Sequence, residues 1–305
     1  MNRLARGTRA VWWLTSRRIA SLFFFATLPL LTGCGDAAPT GSTHSSTLER
    51  LRETGVARVG FANEAPFAYL DESSGRLTGE APEIARVLLR ELGVTELEGV
   101  LTEFGSLIPG LKAGRFDLIA AGMYILPPRC REIAFSNPTY RIGEAFLVAA
   151  GNPRNLHSYA DVAAQDDTRL GVVAGAVQLN HARALGVPMR RVAILPDPPS
   201  AVAALRGGRI DAYAATALTV EDMLRKSGGG LERAVPFTAP RIDGKSVVGY
   251  GAFGLRQEDT ALRAALNREL ADFIGTDRHL QAVEPFGFTR QELPGPVTAD
   301  DLCRP

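Results

Sequence analysis

The sequence is short of the residues from which catalytic and metal centres are usually built. Its 305 residues include three cysteines and four histidines. The histidines fall at 44, 157, 181 and 279, in a linker or on expected surface helices and loops. No metal cluster assembles from that set, and neither a metal nor any other cofactor is expected. There is no Gly-x-Ser-x-Gly elbow, no His-Glu-x-x-His, no phosphate-binding loop and no Gly-x-Gly-x-x-Gly after a strand. No residue therefore stands out as catalytic, and the chain does not read as an enzyme. An excess of one charge is lacking too: 34 Lys and Arg against 33 Asp and Glu leave a net charge of +1. Without a basic stripe or an aromatic–basic ribbon, nucleic acid is excluded as a partner. What remains is an ordinary globular composition, 46% hydrophobic, with length for two medium domains that each bury a core.

Long apolar runs are scarce. Residues 19–31 are almost wholly apolar but too few to cross a hydrocarbon layer of about 30 Å as a helix. Arg3, Arg6, Arg9, Arg17 and Arg18 precede them. A basic leader and a short apolar run make an export signal, assigned to residues 1–33. It ends in Leu31-Thr32-Gly33-Cys34, which looks like a bacterial lipobox, so Cys34 would become the lipidated first residue of the mature chain. Residues 34–46, rich in Gly, Ala, Pro, Ser and Thr, read as a lipidated flexible tether. The expected location is outside the cytoplasm, at the membrane through the lipid on Cys34. Cys130 and Cys303 remain. An exported pair is more often bridged than free, so a Cys130–Cys303 disulfide is expected, tying the C-terminal tail beside Arg129.

The folded chain is organised around Ala120-Ala-Gly122-Met-Tyr124-Ile-Leu-Pro127-Pro128-Arg129-Cys130. An apolar strand over residues 116–121 runs into a glycine, exposes an aromatic and meets a Pro-Pro pair. Proline suits the first helical position, where its missing N–H has no partner to lose. Arg129 then falls in the first helical turn, where free N–H groups already favour an anion. With Tyr124 as a wall, this is a fork for a carboxylate.

Around it, helices are expected at 47–54, 80–92, 107–113 and 259–273, and strands at 57–62 and near 99–103. Two echoes then appear. Leu111-Lys-Ala-Gly114-Arg115-Phe-Asp117 and Leu205-Arg-Gly-Gly208-Arg209-Ile-Asp211 share one form, and residues 58–62 are repeated in kind by 169–174. Both in the same order imply two α/β lobes on one plan. The lobes are expected at 47–148 with 250–305, and at 149–249. Residues 145–150 and 247–255, extended and glycine-punctuated, are expected to pair as the two crossings, which suits hinged closure on a ligand.

From residue 47 to about 288 the chain resembles bacterial solute-binding proteins of the polar-amino-acid ABC importer type. The matching pieces are Asn63-Glu64-Ala65-Pro66-Phe67, Gly79-Glu80-Ala-Pro82-Glu83-Ile84, Leu107-Ile-Pro-Gly-Leu-Lys-Ala-Gly114-Arg-Phe-Asp117, Pro127-Pro128-Arg129 and Ala134-Phe135-Ser136-Asn-Pro138-Thr-Tyr140. The resemblance implies a two-lobed periplasmic-binding-protein-like fold of type II with two interlobe crossing strands. It also implies a monomer that hands a small molecule to an ABC permease and its ATPase. In such proteins an Arg at the position of Arg129 takes an α-carboxylate, and an acid after the second-lobe strand takes the ammonium. Here that region reads Asp211-Ala-Tyr-Ala-Ala215-Thr216-Ala217, with no such acid; Asp197 lies nearby at the wrong spacing.

Phe67, Phe104 and Tyr124 each follow a first-lobe strand. Together they offer an aromatic box for a charge-spread cation, worth about 2 kcal/mol or more per ring when desolvated. Within the family, Ala62-Asn-Glu-Ala-Pro-Phe67, Ala120-Ala-Gly122, Arg129-Cys130 and Gly171-Val-Val-Ala-Gly175-Ala176-Val177 look like the ectoine and hydroxyectoine binding components. That resemblance implies Glu64 on a ring N–H, the three aromatics stacked on the ring, and Arg129 on the carboxylate. Backbone N–H groups near Gly175 and Ala176 would share that carboxylate, with Thr216 completing the site. The chain departs from the wider family at Leu126 and Pro128, which remove a side-chain cap from the helix carrying Arg129. In the subgroup the position of Tyr124 is often Phe, so its hydroxyl bears on ectoine against hydroxyectoine. Two alternatives stand beside this reading. One is a polar or basic amino-acid binder using Glu64 or Asp197. The other is a dehydratase on the same scaffold, for which Glu64 is the only obvious proton carrier.

Overall fold

The computed structural model describes residues 45–304; the expected signal peptide, Cys34 and nearly all of the expected tether lie outside them. Two main sheets organise the described residues, and they repeat one plan. The first runs Glu96–Leu101, Val56–Phe61, Leu118–Tyr124, Gly249–Leu255 and Ala134–Phe135, with Tyr140–Ile142 also on Gly249–Leu255. The second runs Val192–Leu195, Leu170–Val173, Ala212–Thr216, Glu144–Ala149 and Leu231–Arg233. In each, three parallel strands meet an antiparallel fourth. No helix among the described residues is long and apolar enough to cross a membrane.

The sequence echo has a physical cause. Asp117 donates its N–H to the Arg58 carbonyl at 2.8 Å, and its Oδ2 accepts the Arg58 N–H at 2.9 Å. Asp211 does the same with Arg169, at 2.8 Å in both directions. Each aspartate thus sets the register between two neighbouring parallel strands where they begin, satisfying backbone groups that the ladder leaves unpaired. Asp117 is buried and also accepts from Arg50 at 2.6 Å.

Local rules place the helices that flank the first sheet. Ser46 and Glu49 form a capping box ahead of Thr47–Thr54, and Gly55 ends that helix in the left-handed region. Glu80–Glu91 buries Ile84, Leu88 and Leu89. Thr260–Phe273 buries Leu262, Leu266, Leu270 and Phe273 in the same core, so this late helix packs back on the first lobe. Each such leucine contributes about 1.5–3 kcal/mol by leaving water.

Several elements differ from the sequence expectations. Residues 145–150 and 247–255 do not pair with each other. Glu144–Ala149 lies wholly in the second sheet and Gly249–Leu255 in the first, each satisfying its ladder within its own lobe. The chain passes from a strand of the first sheet, Tyr140–Ile142, to one of the second, Glu144–Ala149, at Gly143. The strand expected near 99–103 is Glu96–Leu101. The central strand is Leu118–Tyr124, so Tyr124 ends the strand, buried, and is not exposed beyond it. Its room comes from the partner strand, where a Cβ on Gly249 would lie 1.9 Å from the Tyr124 ring. His181 and His279, expected on the surface, are buried.

Replacing Asp117 by Ala is expected to cost about 1–3 kcal/mol, because a buried backbone donor and Arg50 lose their acceptor. Asp211→Ala, at a more exposed position, should cost less. Urea unfolding of both variants measures the difference.

Candidate functional site

The loops that leave the carboxyl ends of the parallel strands face one another across the two lobes, the usual place for a ligand in α/β sheets. They enclose a cavity of about 40 Å³ lined by Glu64, Phe67, Phe104, Tyr124, Arg129, Ala176 and Thr216. Seven of the eight residues singled out in the sequence thus come together. The eighth, Gly175, contributes its backbone instead.

Pro127–Cys130 is a single helical turn with proline at its start and no side-chain cap, as the Leu126 and Pro128 departures imply. Arg129 folds back from it. One guanidinium nitrogen donates to the Tyr124 carbonyl at 2.9 Å and the other reaches the second lobe, donating to the Gly175 carbonyl at 2.9 Å. The charge lies 5.5 Å from the centre of the Phe104 ring. Phe104 therefore stacks on the arginine, a use that the sequence did not suggest. None of the ion pairs among the described residues involves Arg129. Burial pulls its pKa down to about 10, still charged at neutral pH. A cation withdrawn from water and held by carbonyls and a ring keeps a strong attraction for an anion. Cys130, the next residue, is bonded to Cys303, which anchors the turn to the C-terminal helix Ala299–Cys303.

Glu64 faces the same cavity. Thr219 of the second lobe donates to its Oε1 at 3.0 Å, and Thr216 stands 2.8 Å behind Thr219. Withdrawal from bulk water pushes the Glu64 carboxyl up to about 7, against the opposing hydrogen bond from Thr219. The lobes also touch where Lys226 lies 5.1 Å over the Tyr69 ring. They meet again at Gly175, whose φ of +77° and close approach to Gly105 exclude any side chain there.

Two features bear on the sequence expectations. The helix after the second-lobe strand starts at Gln178, and the Ala176 N–H is already given to the Val173 carbonyl at 3.1 Å. That N–H is spent inside the loop, because the chain turns once more before the helix begins. Asp197 caps the helix Pro198–Arg206 by accepting from Ser200 and does not line the cavity, so it offers nothing to an ammonium. Two residues went unnoticed in the sequence. Gln178 lines the cavity, and its amide donates at 3.0 Å to the buried Glu144, which also accepts from Tyr159 at 2.6 Å and contacts His181 Nδ1 at 2.8 Å. The cue for Gln178 was its place just beyond Gly175 and Ala176; Glu144 had none. Among the described residues no group of His, Cys, Asp or Glu forms a metal-binding cluster.

The model for bacterial extracellular solute-binding proteins, family 3, matches residues 57–286. The chain belongs to this family. Among relatives, a probable amino-acid ABC transporter periplasmic-binding protein of Sinorhizobium fredii is 41% identical over 261 residues, 84% of this chain and 86% of its own. The histidine-binding periplasmic protein of Salmonella typhimurium is 29% identical over 214 residues, 68% of this chain and 78% of its own. Among solved structures, EhuB in complex with hydroxyectoine has a TM-score of 0.77 at 35% identity, covering 85% of this chain and 99% of that one. An ancestral amino acid-binding protein, a precursor of cyclohexadienyl dehydratase, follows with a TM-score of 0.69 at 25% identity, covering 79% of this chain and 99% of that one. As a family 3 member the chain is an extracytoplasmic solute-binding protein with the two-lobed type II fold.

The Glu64 carboxyl makes a checkable contribution to stability. Its folded pKa of about 7 lies above the ordinary 4.5, so the contribution is complete below 4.5 and is lost as pH rises through 7. Urea unfolding at pH 5 and pH 8 should show wild type losing roughly 1–3 kcal/mol relative to Glu64→Gln, allowing for the cavity-facing exposure of the group.

Proposed function

We propose that this protein captures ectoine or hydroxyectoine, a zwitterionic compatible solute, between its lobes and delivers it to an ABC permease driven by a partner ATPase. The observation that carries the reading is charge placement. Arg129, without an acidic partner, stands on one side of a small aromatic-walled cavity, and Glu64 stands on another. A solute carrying a carboxylate and a delocalised cation on one compact ring matches both ends. Arg129 takes the carboxylate, Glu64 accepts a ring N–H, and Phe67, Tyr124 and Phe104 form the wall against the ring. The hydroxyectoine complex of EhuB, at 35% identity, supports the solute class. Lipidation of Cys34 would hold the protein at the membrane, and we infer that it works there as a monomer.

A polar or basic amino acid is the second reading, favoured by the histidine-binding and amino-acid transporter relatives. Against it stands the second-lobe wall. It presents Thr216, Ala215 and Gln178 to the cavity and no carboxylate for an ammonium. A dehydratase gains little support, since Glu64 is the one acidic side chain among the lining residues.

Arg129→Ala is expected to weaken ectoine binding by about 2–5 kcal/mol, the cost of removing one member of a desolvated charge pair. That is roughly thirty- to several-thousand-fold in Kd by calorimetry. Near wild-type affinity in this variant would remove the clamp. A thermal-shift panel of ectoines against histidine, arginine and lysine separates the two solute classes: stabilisation by the amino acids alone decides for the second reading.

A further inference from the structure

Tyr124 lines the cavity, yet its hydroxyl is buried without a hydrogen-bond partner among the described residues. Folded proteins rarely leave such a group unpaired, because it loses its water and gains nothing in return. Packing of the ring fixes where that oxygen lies. It lies flat against Gly249, where even a Cβ would collide at 1.9 Å, and it meets the edge of Tyr140 at 6.4 Å between centres.

Most polar groups nearby are already engaged. Tyr140 gives its hydroxyl to the Gly122 carbonyl at 2.8 Å. The hydroxyl of Tyr159 and one of the two amide N–H groups of Gln178 are given to Glu144. Thr216 and Thr219 engage each other and Glu64. Arg129 serves the carbonyls of Tyr124 and Gly175. The charged ends of a zwitterion are thus provided for by Arg129 and Glu64, and the Tyr124 hydroxyl is left over as a neutral donor and acceptor.

We propose that the Tyr124 hydroxyl is the specificity-determining group by which this site recognises a hydroxyl substituent on its solute, favouring the hydroxylated over the plain form. This rests on the zwitterion reading of the site. A phenol can both donate to and accept from an alcohol, which neither Arg129 nor an ionised Glu64 can do.

The test is calorimetry of wild type and Tyr124→Phe with hydroxyectoine and with ectoine, together with the melting temperature of each ligand-free protein. Phenylalanine keeps the ring and removes the oxygen. The affinity ratio of hydroxyectoine to ectoine should fall roughly three- to tenfold in the variant. Its ligand-free melting temperature should equal or exceed that of wild type, because an unpaired buried group has gone. An unchanged ratio overturns the proposal: the hydroxyl then bonds a group common to both solutes, or none. Wild type binding both solutes with an unaltered ratio in the variant leaves the zwitterion reading standing. Wild type binding neither overturns both.

Discussion

One guanidinium ties the site together. Arg129 donates to a carbonyl of its own lobe and to a carbonyl of the other, at 2.9 Å each. A planar donor fork can satisfy both acceptors and still present N–H groups to a third. A lysine in that place would carry the charge without the geometry. The single turn Pro127–Cys130 aims it, the disulfide to Cys303 holds that turn, and Phe104 covers its face. Closure of the lobes and attraction for an anion therefore depend on the same side chain.

The opposite side of the cavity is softer electrostatically. Glu64 is held by a hydroxyl relay from the second lobe and not by a cation, and with its carboxyl near 7 its charge is not committed at neutral pH. In the proposed reading, an N–H of the solute would supply what Thr219 alone does not and draw the carboxyl toward its ionised form. Glu64 and Arg129 each join the two lobes in this way. Both side chains belong to the first lobe and both reach across to second-lobe partners, which gives the cleft a consistent polarity.

Much of this was legible in the chain itself, for identifiable reasons. The repeated Gly-Arg-apolar-Asp ending survives as a motif because each aspartate satisfies the first backbone groups of a neighbouring strand, a local requirement that fixes residue type. The same holds for the proline-led turn at Arg129. Pairing of Glu144–Ala149 with Gly249–Leu255 looked natural because both are apolar and extended, but strand composition does not say which sheet completes a strand's ladder. Asp197 was within sequence reach of the cleft, and only its use as a helix cap removed it. Gln178 and Glu144 were hidden because their roles come from a buried cluster drawn from three separate segments.

The sequence by itself determined the two α/β lobes, the proline-led turn that carries Arg129 and the cysteine pair, since each rests on short-range chemistry: caps, turn residues and alternating burial. Tertiary structure alone decided that Arg129 spans both lobes, that Phe104 stacks on it, and that Tyr124, a cavity-lining residue, ends its strand with a buried hydroxyl unpaired among the described residues. The physical reason is packing across long sequence separations. A tyrosine ring lies where it does because Gly249, far along the chain, leaves it the space, and no local pattern around residue 124 records that.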